Sequence, residues 1–419
     1  MTAETPMRKP RIAFVSSMNE PCANADYTAK LAEVFAPDFD ITMFDIASAT
    51  ILKRLGQEAE DAGEAHIGGI CHQLAPFDVV NVQCEMGLFG ATVEQCKRRL
   101  FNLCAHAPRL IYTLHSFSVR GDDFEQAHRF VFDSLRQRPP ERPWVVLVHL
   151  PRDRQELINR FGVPPANVVH FPVLSLSLPE RQALIAQADP AAWKQRHGLA
   201  PDDIVIGRLG FFSQNKDFIT GLKALSVLPA QYKMAFVGGQ HFQTIAEMSI
   251  HSSIREVVDF IDEHDDRLAR MPHFDPARTP LLRDRCIFLG NTPHTALYQA
   301  LANMDYVLVN YLETWQSGSL VASLCMELER PCLFAYNRTF LEYEKYFPGC
   351  FEFFNMGNHH EIRHKVMHFD RAKLANITPL MQRYTIERLS TLYAALTAAM
   401  ARQQAPAEDE TVRTIAYGA

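Results

Sequence analysis

The chain has 419 residues and a mass of 47.6 kDa, more than one compact core usually organises, so two domains are expected. Hydrophobic residues make up 47% and charged residues 21%, the balance of an ordinary globular protein. The net charge of −6 supplies no basic field, which excludes the usual electrostatic footprint of a nucleic-acid binder.

The N-terminal stretch MTAETPMRKPRIAF carries no apolar signal segment and runs directly into a strand over 11–16. A helix over 24–35 follows, then a strand over 40–45 and a helical or irregular stretch to residue 75. Apolar runs predict further strands over 78–83, 109–114, 144–149 and 168–172. Continuous apolar strands interleaved with helices imply a parallel sheet covered on both faces.

Residues 173–200 break the rhythm with two prolines and no strand pattern, as expected of a connection. The rhythm then restarts. Strands are predicted over 204–211, 233–238, 285–289, 305–310 and 331–335, with helices over 219–228, 295–303 and 318–328. The expected organisation is a domain over 1–175, a linker over 176–200 and a second domain over 201–379. A helix over 380–402, returning to the N-terminal domain, and a polar, mobile tail over 403–419 complete it. Two doubly wound Rossmann-like domains imply a ligand cleft at the carboxyl ends of their strands.

The nine cysteines are scattered without a C-x-x-C pair, and several sit in apolar runs, which suits buried thiols in a reducing cytosol. No apolar run approaches the ~18 residues of a membrane span. Asp38-Phe39-Asp40 reads as D-x-D but precedes an early strand, and we treat it as chance. The histidines, including the pair at 359 and 360, show no metal-ligand spacing, so no metal site is expected.

Two stretches of the second half carry chemistry. In IVIGRLGFFSQNKDFITGLKAL a strand leads to Gly210 and then to Lys216 just before a helix. A cation, free N–H groups and the helix dipole there agree in sign for binding phosphate. The plain alternative is a solvated lysine in a loop. In YLETWQSGSL a small, polar turn opens a helix, and its N–H groups suit a phosphate or a sugar hydroxyl. Ser317 or Ser319 acting as an ordinary N-cap is the alternative.

These pieces, in this order, resemble the retaining GT-B glycosyltransferases of family four along most of the chain. In the second half the resemblance is carried by Gly210 through Lys216, AFVGGQH at 235–241 with Gly238 and Gly239, IFLGNTPHTALYQALANMD at 287–305, and ETWQSGSL followed by ELERPCLFA. In the first half CANADYTAKLA at 22–32, DVVNVQCEMGLFG at 78–90 and YTLHSF at 112–117 match that family's loops. The resemblance implies two domains facing each other across a cleft, the N-terminal one for the acceptor and the C-terminal one for the donor.

It further implies a donor diphosphate near Lys216 and the turn Gln316, Ser317, Gly318, Ser319 and Leu320, with Arg208 as a second cation. His115 would face the reacting sugar, with Glu85 near it. The implied activity is retaining, metal-independent transfer from a nucleotide-sugar substrate, with no cofactor. The acceptor would be a saccharide or a lipid-linked saccharide, in assembly of a cell-surface polysaccharide or glycolipid.

The chain departs from the family at two places. The family's Glu, seven residues, Glu ahead of Gly-x-Pro falls here on Gln316, Leu324 and Glu329. Glu313 and Glu327 flank the site, each displaced by three residues in opposite directions. The second Glu of that pattern receives ribose hydroxyls, so nucleotide recognition is the function affected. The N-terminal loop has Ala23-Asn24 in place of Gly-Ile, where a side chain crowds a diphosphate or Asn24 donates to it. Two further readings stay open: a GT-B-like protein without transfer activity that partners an active enzyme, and a sugar-nucleotide epimerase of the same fold. The location is expected to be cytoplasmic. Lys97-Arg98-Arg99 would give peripheral contact with the inner face of a membrane, a solvated helix face being the alternative.

Overall fold

The computed structural model describes residues 8–19, 22–117, 119–240, 248–276, 278–312 and 317–418. The chain divides into two compact units. One comprises Met1–Ser177, Trp315–Gly318 and Tyr384–Ala419, and the other Leu178–Thr314 and Ser319–Arg383.

The first unit is built on six parallel strands. They are β1 Arg11–Ser16, β2 Asp40–Asp45, β3 Val79–Cys84, β4 Leu110–Leu114, β5 Trp144–Val148 and β6 Val168–His170. Their order across the sheet is β2-β1-β3-β4-β5-β6. Every residue of β3, β4 and β5 is buried, as Val- and Leu-rich strands covered on both faces must be. Edge strand β2 is largely exposed. Helix Ala23–Phe35 packs beside helix Ile386–Ala401, whose Tyr393 meets Phe35 at 5.0 Å and contacts the Thr113 hydroxyl at 2.9 Å.

The second unit repeats the plan. Strands β7 Ile204–Leu209, β8 Tyr232–Val237, β9 Cys286–Gly290, β10 Tyr306–Val309, β11 Cys332–Ala335 and β12 Glu352–Phe354 lie in the order β12-β11-β10-β7-β8-β9. In each sheet the order reverses beside the first strand of the unit, between β1 and β3 and between β7 and β10. Connections leave in opposite directions there, which opens a crevice at the strands' carboxyl ends. Residues 22–24 and 85 sit at the first such point, and residues 210–217 and 310–312 at the second.

Three expectations need correction. The stretch taken as a linker is two helices, Leu178–Ala186 and Pro190–Arg196, grouped with the second unit. Pro190 starts its helix at the first turn, where a missing N–H costs nothing, and Asp189 caps it. The polar tail folds as well. Helix Glu410–Tyr417 is capped by Asp409, ends on left-handed Gly418, and buries Val412, Ile415 and Ala416 on one face. The helix expected over 380–402 is two, Ile377–Arg383 and Ile386–Ala401, divided where Thr385 caps the second.

Asp38 of the D-x-D accepts from the Ser390 hydroxyl at 2.6 Å and Asp40 faces Arg11, both structural roles. All nine cysteines are free thiols, seven of them buried.

Candidate functional site

The loop after β7 is shaped by two glycines. Gly210 (φ +100°) and Gly238 (φ +123°), after β8, adopt conformations that disfavour side chains. A Cβ on Gly238 would lie 2.5 Å from the Gly210 carbonyl oxygen, so the two backbones meet only because Gly238 lacks one. Gly239 accepts from the Phe212 N–H at 2.8 Å and holds the same loop.

Over Gly210 stands Lys216, whose ammonium would be 2.4 Å from any Cβ placed there. Lys216 ends a short turn, Gln214–Lys216, that Asp217 converts into helix Phe218–Val227 by capping Thr220 N–H at 3.2 Å. The Asn310 amide, just past β10, holds the Asp217 carbonyl at 2.5 Å, and Leu312 N–H donates to Asn215 at 2.7 Å. The loops on both sides of the switch point are thereby tied together.

Half-buried in the loop, Lys216 has its pKa pushed down to about 7, by burial first and by Arg208 second. No carboxylate among the described residues pairs with it. Its nearest ring is that of Tyr311, with the centroid 5.7 Å away.

Arg208 is not a second open cation. It is 1% exposed, donates to the carbonyls of Leu308 and Lys216, and stacks on Phe218 at 4.7 Å. Its inward position on β7 makes it a brace for the Lys216 turn and, through its charge, a cause of the lowered lysine pKa.

Helix Leu320–Glu327 opens on Ser319, whose hydroxyl accepts from Ala322 N–H at 3.3 Å as an N-cap. The hydroxyl of Tyr343 receives Ser319 N–H at 2.6 Å and donates back to its carbonyl at 2.9 Å. Ser319 N–H is thus committed inside the protein, and the helix start offers the N–H groups of Leu320 and Val321. Ser317, preceding Gly318 in the segment grouped with the first unit, donates its N–H to the His115 carbonyl at 3.2 Å. The Ser317 hydroxyl is buried and has no partner among the described residues. Glu313 and Gln316 lie outside the described residues.

Leu324 and Glu327 are both buried, at 2% and 1% exposure. Glu329 stands where the family has glycine and keeps the left-handed conformation such a glycine serves (φ +54°). Its carboxylate accepts from Arg181 at 2.8 Å and from the Thr378 hydroxyl at 3.0 Å.

In the first unit the carboxyl ends of β3, β4 and β5 gather polar side chains. His115, just past β4, has Nε2 2.6 Å from Gln83 Oε1 and Nδ1 3.2 Å from His149 Nε2. Burial, and then His149, holds its pKa well below the ordinary histidine value. Glu85 accepts from the Ser116 hydroxyl with both oxygens, at 2.8 and 2.7 Å, and burial raises its pKa against those contacts. Asn24 reaches the Gln83 carbonyl at 3.4 Å, while its own Oδ1 is buried with no partner among the described residues, and Ala23 is exposed.

Sequence reasoning missed Gln83, His149, Ser116, Asn310 and Tyr343. The signal available for His149 was its place just past β5, the same place His115 has after β4. A surface concavity of about 540 Å³ lined by Thr50, Arg54, Leu55 and Glu58 holds none of these residues.

The basic stretch at 97–99 is not an open cationic face. Lys97 pairs with Glu94, Arg98 with Glu60 and Glu64, and buried Arg99 with Glu64 and the Leu52 and Phe89 carbonyls. Among the described residues no helix is long and apolar enough to cross a membrane.

No protein-family model and no curated protein matches the chain by sequence. Solved structures do match by shape. Anabaena Alr3699/HepE, crystallised with UDP, superposes with a TM-score of 0.67 at 14% identity, over 93% of this chain and 100% of that one. The sucrose-phosphate synthase of Thermosynechococcus elongatus gives 0.66 at 16% identity, over 94% of this chain and 100% of its own. A glycosyltransferase from Rickettsia africae gives 0.66 at 10% identity, over 94% and 99%. With its two six-stranded parallel sheets flanked by helices, the chain has the GT-B fold.

Proposed function

We propose that the protein is a glycosyltransferase that takes a sugar from a nucleotide-sugar donor bound by its second unit. The observation that carries this reading is Lys216. It is a half-buried ammonium that meets no described carboxylate, held over a left-handed glycine at the sheet's switch point. A diphosphate supplies the missing charge, and the free N–H groups at the start of helix Leu320–Glu327 add to it. The shape-related HepE has been crystallised with UDP and with UDP-glucose, ligands of the class this site suits.

In the finer reading the transfer is retaining and needs no metal, because Lys216 and backbone donors meet the charge on the leaving diphosphate. His115 and Glu85 of the first unit then serve the acceptor side, with a saccharide or lipid-linked saccharide as acceptor in cell-surface polysaccharide assembly. The free, mostly buried thiols suit a cytoplasmic site of action. Leu324, in place of a carboxylate, cannot receive ribose hydroxyls. That departure favours the second reading, a GT-B-like partner protein without transfer activity.

Calorimetric titration with UDP-, GDP- and ADP-sugars separates the two. Binding of one nucleotide class is expected, with Lys216→Ala weakening it at least about tenfold, the scale of one charge-assisted contact. Folded protein that binds none of them overturns the enzyme reading.

A further inference from the structure

Two long side chains end over one glycine. The Lys216 ammonium and the Tyr311 hydroxyl both lie within 4 Å of the point where a Gly210 Cβ would stand, the hydroxyl at 3.9 Å. Lys216 comes from the loop after β7, and Tyr311 stands two residues past β10. The two strands are neighbours in the sheet, and Leu312 N–H ties the second loop to the Asn215 carbonyl at 2.7 Å. The missing Cβ of left-handed Gly210 keeps the point they share open.

The Tyr311 ring is fixed, yet its hydroxyl holds nothing. The residue is 4% exposed, its ring packs on Phe340 at 5.5 Å, and the Asn337 amide donates to its carbonyl at 3.1 Å. Among the described residues none hydrogen-bonds the hydroxyl. Tyr343 gives the contrast. Its hydroxyl serves both Ser319 N–H and the Ser319 carbonyl, with the Ser323 hydroxyl 3.4 Å away. Buried phenols ordinarily find such a partner, so a locked ring with an unused hydroxyl is prepared for a group from outside. Burial pushes the phenol pKa up to about 12 against the pull of Arg208, which keeps it an O–H at neutral pH.

We infer that Tyr311 binds the diphosphate of the sugar donor directly, its O–H and the Lys216 ammonium meeting that group's oxygens together. The identity of the ligand rests on the proposed function. The demands on it come from the two tips. Both donate, so whatever seats between them accepts twice, and it brings the negative charge that no described carboxylate gives Lys216. A sugar hydroxyl meets the first demand but not the second. Arg208 does not compete for the ligand, because its guanidinium is spent on the Leu308 and Lys216 carbonyls. The two residues divide the work. Lysine is a charge on a flexible stem, whereas the phenol, on a ring held by Phe340, fixes where one oxygen sits.

Tyr311→Phe removes the hydroxyl and keeps the ring. Calorimetric titration of the full chain uses inorganic pyrophosphate, which has no base or sugar, and whichever of the UDP-, GDP- and ADP-sugars the wild type binds. The variant should bind both probes about tenfold more weakly, the scale of one hydrogen bond to a charged group. The urea midpoint of the ligand-free variant should equal that of the wild type, since the hydroxyl holds nothing in the free protein. Either probe bound equally by wild type and variant overturns this inference and leaves the proposed function standing. The nucleotide sugar decides where pyrophosphate alone binds too weakly to titrate. A lowered midpoint, or a variant that does not fold, makes the hydroxyl structural and overturns it as well. Folded wild type that binds none of the probes overturns the proposed function and this inference with it.

Discussion

Lys216 shows what a single side chain carries at this site. Its pKa is pushed from 10.5 down to about 7, so between those values the unfolded chain holds a proton that the folded chain lacks. Stability therefore rises with pH across that window, and below about 7 the full penalty of the buried charge is present. Lys216→Met should abolish this slope. Urea denaturation of both proteins at about pH 7 and pH 9.5 should show the wild type gaining on the variant, and parallel behaviour would mean that the ammonium is not desolvated. A bound diphosphate raises the lysine pKa again. UDP-glucose, whose own phosphates do not titrate there, should be bound at about pH 8 with uptake of a proton that is absent at about pH 6.

The glycine-to-lysine spacing made Lys216 legible in the sequence, because a strand end, a small residue and a cation before a helix are local features. Arg208 was not legible as a brace. Only the face of β7 on which it falls decides that its donors meet Leu308 and Lys216. That Gln83 and His149 adjoin His115 was out of reach for a related reason. They are brought together by parallel register, which sets Gln83 beside Thr113 and Leu114 beside Val148, so that the residues after each strand become neighbours.

Among elements, helix Leu320–Glu327 depends on a partner distant in sequence. One hydroxyl, Tyr343, serves both the N–H and the carbonyl of its N-cap residue and lies 3.4 Å from Ser323. Tyr343→Phe leaves both backbone groups buried without that partner, a cost of about 1–3 kcal/mol. Packing changes little, so a urea midpoint that does not move would show that water takes over the role.

Element boundaries were legible wherever apolar runs and caps coincide, as at β1, β2 and helix Ala23–Phe35. The helices at 178–196 were hidden by prolines that read as breakers but stand in first turns. Strand β12 is three residues long and leaves too short a run to detect.

At the scale of the whole chain, the two sheets repeat one plan, but only the first unit is assembled from distant segments. Its C-terminal part, from Tyr384 onward, arrives after the entire second unit has been made. Helix Ile386–Ala401 buries Ile386, Leu389, Leu392, Leu396 and Met400 there. At about 1.5–3 kcal/mol for each large apolar side chain, this approaches the whole net stability of a domain, about 5–15 kcal/mol. A chain ending at Arg383 should therefore lose the first unit and keep the second. Ending at Gln403 instead removes the smaller burial of Pro406, Ala407, Val412, Ile415 and Ala416, and should leave the first unit folded with a lower melting temperature. Hydrogen exchange distinguishes the cases. Protection should vanish from β1 to β6 and persist in β7 to β12 for the shorter chain, whereas equal loss in both sheets would show that the second unit does not stand without the first.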